Sequence, residues 1–176
     1  MMTQLAPITA VACSTFVALI LIRSVWHKSH AFLETVGFAQ GYGLVPDAWT
    51  PAIIRALTVV EAATVLGLLM PGIHAWAGWA AAGIFAGYGL LMALALARGQ
   101  TRIDCGCGGA PQRISGLTLG RNAGFTALGL GIALLPSGGL GPLAVLTGIA
   151  MGLTFAALQG VAERLAAHLP NIRRAS

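Results

Sequence analysis

Charged side chains are scarce in this sequence. The 5 acidic and 10 basic residues make up 9% of its 176 positions, whereas 57% are hydrophobic and the mean hydropathy is +0.82. Soluble domains carry about 25% charged residues, so this composition excludes an ordinary water-soluble fold and makes lipid the solvent. No basic run is interleaved with aromatics, so the net charge of +5 does not describe a nucleic-acid interface. Short alternating strands are missing too, and with them the β-barrel, the other architecture that a bilayer permits. No long repeat and no low-complexity linker divides the chain, which reads as a single integral membrane domain over residues 1–176.

What the sequence does have is long apolar runs. A helix rises about 1.5 Å per residue and a hydrocarbon core is about 30 Å thick, and the runs near residues 5–22, 51–70, 75–97, 117–135 and 140–161 are long enough to cross it. The first, third and fifth contain no Asp, Glu, Lys or Arg; the second holds Arg55 and Glu61, and the fourth holds Arg121. The expected fold class is therefore all-α, a multi-pass transmembrane helical bundle of five spans, with four spans plus an interfacial helix as the alternative. The first run has no charged segment ahead of it, and its basic residues follow the apolar core, so it is expected to stay as a span and not to be removed as a signal peptide. Cys13 precedes most of that core, which argues against a lipoprotein cleavage box; it is expected to be a small packing residue.

With five spans, the N-terminus and the turns at Pro71-Gly72 and Pro136 to Gly141 share one face, and none of them contains Lys or Arg. Arg23, Lys28, Arg55, Arg98, Arg102, Arg113, Arg121, Arg164, Arg173 and Arg174 collect on the other. The positive-inside rule makes that face cytoplasmic. The expectation is a bacterial inner-membrane protein with its N-terminus outside and its C-terminus in the cytoplasm.

Between the first two spans, Arg23, His27, His30 and Glu34 recur at helical spacing, which suggests an interfacial helix with one wet face. Phe32, Val36 and Phe38 would supply its apolar contacts, and Gly41, Gly43 and Pro46 would end it. His27 and His30 could meet on one face as metal ligands, but a solvated face is the preferred reading and no metal is expected. Glycines four apart, at Gly83 and Gly87, Gly120 and Gly124, and Gly148 and Gly152, would let helix backbones approach closely in lipid.

The stretch richest in chemistry is Arg102-Ile103-Asp104-Cys105-Gly106-Cys107, between the third and fourth spans. A Cys-x-Cys pair closes only if the backbone turns, and Gly106 permits the dihedrals. The small ring would be strained, and strained disulfides exchange readily. Arg102 would favour thiolate and Asp104 would oppose it. Thiol redox chemistry by Cys105 and Cys107 leads; a metal or partner-ligand site and a purely structural turn remain open beside it.

Ionisable groups inside a membrane are functional candidates, which brings Glu61 and Arg121 forward. Both lie on spans that begin at the basic face, at depths that a long arginine side chain could bridge, so a Glu61–Arg121 pair is expected. The alternatives are snorkelling of Arg121 toward headgroups and, for Glu61, pairing with Arg55 or a protonated carboxyl.

Several of these residues together resemble a family. His27-Lys28, then Phe32, then Gly41-Tyr42-Gly43-Leu44-Val45-Pro46, then Glu61 with Gly67-Leu68-Leu69, then Arg98-Gly99 ahead of Asp104-Cys105-Gly106-Cys107, and finally Arg121-Asn122 are similar to the signature of the MauE family of methylamine utilization proteins, with a more distant likeness to DoxX-like membrane proteins. Many relatives have phenylalanine where this chain has Gly108. The resemblance implies an accessory role and not the dehydrogenase itself. Such proteins are needed for maturation of the small (beta) subunit of methylamine dehydrogenase, a disulfide-rich periplasmic polypeptide, with a thioredoxin-like accessory protein as a further partner. Client disulfides form outside, whereas charge bias sets Cys105 and Cys107 inside. The two are compatible if the motif contacts the client before export, or if the orientation is the reverse.

Two other classes compete. One is a quinone-linked membrane thiol-disulfide oxidoreductase, although the sequence itself supports no quinone and no cofactor is expected from it. The other is a small-solute transporter, which would need broken helices and several midplane polar groups.

Overall fold

The computed structural model describes residues 5–70, 72–99, 116–136 and 138–175, with side chains as far as residue 165. Its regular elements are six helices: α1 (Leu5–His30), α2 (Phe32–Gly41), α3 (Thr50–Leu69), α4 (His74–Ala97), α5 (Gly116–Leu134) and α6 (Pro142–Ala175). The protein is an all-α, multi-pass membrane bundle. Four helices, α1, α3, α4 and the Pro142–Leu165 part of α6, are long and apolar enough to cross a membrane. The 19-residue α5 is of similar length but carries Arg121 and Asn122.

The helices alternate in direction. Gly67 of α3 meets Ala77 of α4, and Gly78 and Gly129 bring α4 and α5 together with Gly89 near Asn122, so each of these pairs is antiparallel. Gly148 and Gly152 of α6 lie against Ile8, Val11, Ala12 and Thr15 of α1, which makes that pair parallel. The start of α1 and the α3–α4 and α5–α6 turns therefore share one end of the bundle. The α1–α2 and α2–α3 connections, the end of α4 and the start of α5 share the other.

The first helix departs from expectation. The apolar run ends near Ile22, but α1 continues to His30, because no glycine or proline interrupts the chain from Ile8 to Val36. At 26 residues it is about 39 Å long, and the polar stripe expected on a separate interfacial helix belongs in large part to its last two turns. A bend at Ala31 then starts the 10-residue α2, which ends at Gly41, as the glycines there lead one to expect. Gly43 takes φ +60°, a conformation that a Cβ disfavours.

Lipid tails are as apolar as leucine, so the bundle holds together by close packing and not by hydrophobic exclusion from water. The core joins Val17 and Leu21 of α1, Leu68 of α3, Ala81 and Phe85 of α4 and Ile132 of α5. Phe125 sits at its centre, edge-on to Phe16 at 5.8 Å and tilted against Phe85 at 5.0 Å. Leu66, Trp76, Leu90 and Leu153 face outward, as a lipid-bathed surface requires.

The closest helix approaches are only in part those that glycine spacing suggests. Gly148 and Gly152 do seat α6 on α1, where an added Cβ would lie 2.6–3.0 Å from α1 atoms. Gly83, Gly87, Gly120 and Gly124 face open space. The tightest α4–α5 contact is instead built by Gly78 and Gly129, where an added Cβ would come within 2.6 Å of backbone nitrogen on Ala133 and Ala82 respectively.

Candidate functional site

Three helices converge on a buried carboxylate. Glu61 of α3 is fully enclosed and Lys28 of α1 is 2% exposed. Lys28 Nζ lies 3.0 Å from both Glu61 oxygens. Ser24 Oγ donates to Glu61 Oε1 at 3.1 Å and accepts from Lys28 Nζ at 2.5 Å. Tyr88 of α4 donates its hydroxyl proton to Glu61 Oε1 at 2.5 Å, and Lys28 Nζ stands 5.3 Å from the centre of the Tyr88 ring. A charge inside a membrane bundle is costly unless it is both paired and hydrogen-bonded. Here each carboxylate oxygen has a cationic neighbour and one oxygen has two further donors.

Local sequence explains how Lys28 gets there. Val17, Leu21, Ser24 and Lys28 follow one another at spacings of four, three and four, and all four are buried. Lys28 continues the inward face of α1 one turn past Ser24. Grouping it with the topology-setting basic residues therefore misplaces it: its charge is spent inside the bundle, while Arg23 and His27 turn elsewhere on the same helix.

The expected Glu61–Arg121 pair does not form. Arg121 Nη1 bonds Glu163 Oε1 at 2.8 Å, and Arg23 Nη1 bonds Glu163 Oε2 at 2.7 Å. Helix α5 packs against α4 and α1, and Arg121 follows α5 toward α6, away from the Glu61 face of α3. Glu163, beyond the expected end of the fifth span, is not singled out by sequence reasoning, because its role depends on α6 running on past residue 161. Arg55, the other partner considered for Glu61, sits over the Phe32 ring at 5.2 Å. Both carboxylate clusters thus tie α1 to other helices near the same end of the bundle.

Asn122 is buried beside Arg121. Its amide donates to Thr118 O at 3.0 Å and meets Met92 Sδ at 3.5 Å. Met92, Tyr42 and Ala95 form a small second core under α2, and the Arg98 guanidinium reaches the Tyr42 carbonyl at 3.4 Å. Gly99 follows with φ +72°, which turns the chain off the end of α4.

Asp104, Cys105, Gly106 and Cys107 lie outside the described residues. The described residues that flank them, Gly99 and Gly116, lie at the end of the bundle that also holds Lys28, Arg98 and α2. Cys13 is half-buried on α1 and packs against the core beside Phe16, the place of a small packing residue. His30 Nδ1 donates to the Trp26 carbonyl of its own helix, 2.9 Å away, and its ring stacks on the Trp26 ring. Among the described residues no three His, Cys, Asp or Glu side chains come together as a metal site would require.

An apolar cavity of about 160 Å³ adjoins the Lys28–Glu61 cluster, beneath α2 and between α3 and α4. Lys28, Tyr88, Tyr42, Thr50, Leu57 and Met92 are among its walls.

Comparison with known proteins finds relatives of this chain. The profile of the family described as Methylamine utilisation protein MauE matches residues 6–136. A protein named Methylamine utilization protein MauE from Paracoccus versutus is 38% identical over 152 residues, covering 83% of this chain and 81% of its own. Proteins of the same name are 33% identical in Paracoccus denitrificans, covering 72% and 69%, and 31% identical in Methylorubrum extorquens, covering 88% and 86%. No solved structure matches the chain. The matched residues take in α1 to α5, with Lys28, Glu61 and Tyr88 and the Cys105–Cys107 segment, and the chain belongs to the MauE family of methylamine utilisation proteins.

Proposed function

We propose that this chain is a membrane accessory factor of methylamine utilisation that supports disulfide formation, folding or export of the methylamine dehydrogenase small subunit, with Cys105 and Cys107 as the exchanging dithiol and a thioredoxin-like protein as partner. Family membership supports the pathway. What supports the chemistry is the sequence motif: Cys105 and Cys107 stand one glycine apart in the segment that joins α4 to α5, and a dithiol is the group that thiol exchange requires.

The test is Cys105→Ser and Cys107→Ser, singly and together. The membrane protein should persist at its normal level, because the contacts among α1, α3, α4, α5 and α6 hold the bundle together. Small subunit should fall to background, the large subunit should still be made, and growth on methylamine should stop. Normal small subunit in the double variant would make the cysteines structural and leave a scaffold or transport role as the better reading.

The orientation that goes with this proposal is N-terminus outside and C-terminus in the cytoplasm of the inner membrane, from the segregation of Lys and Arg. A membrane-impermeant maleimide should leave Cys105 and Cys107 unlabelled in intact cells and label them in inverted vesicles. Labelling from outside would reverse the orientation and bring the dithiol directly to the periplasmic client.

A further inference from the structure

We propose that the cleft between α5 and α6 is a site for an anionic phospholipid, with one acyl chain laid along the cleft and the phosphate at the Arg23–Glu163–Arg121 cluster at its end. Neither Cys105 and Cys107 nor the small subunit enters into it.

Packing leaves the cleft open. Helix α6 packs along α1, and α5 packs along α4 and α1, but among the described residues α5 and α6 scarcely meet. The space between them, about 520 Å³, has Phe16 of α1 on its floor and Leu128 of α5 and Met151 and Phe155 of α6 at its sides. Gln159 and Ala162 of α6 also line the next space along, about 380 Å³, whose walls include Arg121 and Glu163. The two run on into one cleft, apolar along its length and charged at one end. Phe155 and Leu158 are 52–60% exposed, so the apolar part opens to the bilayer. Glu163 lies twelve residues after Met151 on α6, about 18 Å of helix, against about 15 Å for half of a hydrocarbon core. The cleft therefore has the length of one leaflet and suits one acyl chain. Left empty, its walls would forfeit their dispersion contacts.

The charged end selects one lipid from the rest. Each of the three helices carries its apolar face of the cleft into a charge at the same end: Phe16 and Arg23 on α1 and Leu128 and Arg121 on α5 stand seven residues apart, and Phe155 and Glu163 on α6 stand eight apart, which is about two turns in each case. Glu163 Oε2 holds Arg23 Nη1 at 2.7 Å and Oε1 holds Arg121 Nη1 at 2.8 Å. Two guanidiniums against one carboxylate leave the described cluster at +1, and the exposed Arg164 beside Glu163 raises this to +2. The Glu163 side chain is 10% exposed and that of Arg23 42%, so the carboxylate is enclosed while a cation faces outward. An anion complements that end. The planar guanidinium fork matches phosphate oxygens, and basic pockets between membrane helices are where anionic headgroups bind. A second copy of this chain, at +5, would bring the wrong sign. A neutral lipid would fill the cleft but leave the charge unmatched. Glu163 is the positioning residue, holding both guanidiniums at the mouth.

The experiment adds phosphatidylglycerol, phosphatidylethanolamine or diacylglycerol, all with the same acyl chains, to the purified full chain in a neutral detergent. Binding is read by native mass spectrometry and by melting temperature. Phosphatidylglycerol should bind saturably, one per chain, and raise the melting temperature. Phosphatidylethanolamine should bind about fivefold or more weakly, and diacylglycerol or free glycerol phosphate should give no saturable shift. Arg23→Gln leaves Glu163 paired with Arg121 and should weaken phosphatidylglycerol about fivefold. Ala162→Phe keeps every charge, sets a ring in the cleft and should also weaken binding, whereas Leu153→Phe, on the outward side of α6, should not. If Arg23→Gln fails to accumulate, Ala162→Phe decides alone. Equal binding of phosphatidylethanolamine or diacylglycerol, or unchanged binding to Ala162→Phe, would overturn the site. The same melting-temperature rise with glycerol phosphate would replace the lipid by a small anion, and a dimer formed in place of the lipid complex would replace it by a second copy; either result overturns the proposal.

Discussion

Lys28→Met should cost the folded bundle about 3–5 kcal/mol, the usual penalty for removing one partner of a buried ion pair. The residue left behind is Glu61, enclosed by α1, α3 and α4 and fully buried. The penalty is chiefly that of an uncompensated buried carboxylate, so it should largely vanish when Glu61→Gln is added. The amide carbonyl introduced by Glu61→Gln would still accept from Tyr88 and Ser24, and the methionine side chain introduced by Lys28→Met would fill much of the space of the lysine stem. Unfolding of each purified variant in mild detergent gives the four corners of a double-mutant cycle. A strong coupling, with the double variant far more stable than Lys28→Met alone, is expected. Additive losses would mean that the pair is incidental to stability.

The other large effect belongs to a residue with no chemistry. Gly129→Val should destabilise the bundle by at least the roughly 1–3 kcal/mol typical of overpacking, because the new Cβ would lie 2.6–3.0 Å from the backbone nitrogen, Cα and Cβ of Ala82. Backbone cannot swing aside as a side-chain tip does, so α4 and α5 must separate along their length. That separation would also loosen Phe85 from Phe125. Gly124→Val is the control on the same helix: its Cβ would meet nothing within 4 Å, and it should be tolerated. The comparison is read from melting temperatures and from the yield of monodisperse protein. Equal damage at the two positions would show that helix propensity, and not the α4–α5 approach, governs these glycines.

These two cases mark where sequence reasoning reaches and where it stops. Gly120-x-x-x-Gly124 and Gly83-x-x-x-Gly87 have the spacing of a packing motif, yet both face away from their neighbours, while Gly78 and Gly129 have no such partner at four residues and make the contact. Spacing says that a small-residue face exists; it does not say which way the helix is rotated. Lys28 shows the same limit from the opposite side. Its place on the buried stripe of Val17, Leu21 and Ser24 is plain once α1 is known to run to His30. The apolar run stops eight residues earlier, so hydropathy alone sets Lys28 outside the span. Glu61, by contrast, is legible directly as an acid inside an apolar run.

The sequence by itself determined that this is a helical membrane protein, where its apolar segments lie and which family it resembles. Those properties follow from the solvent preference of contiguous residues and from motifs read along the chain, and neither needs a neighbouring helix. Only the tertiary structure decided that Glu61 takes Lys28, Ser24 and Tyr88 as partners, that Arg121 joins Arg23 on Glu163, and that an apolar cavity opens beside the first of these clusters. Each residue turns a helix by about 100°, so a few residues of extension or a modest rotation redirects a side chain to a different neighbour. Which neighbour is there to receive it depends on close backbone contacts between segments far apart in the chain, such as Gly78 on Ala133 and Gly152 on Thr15.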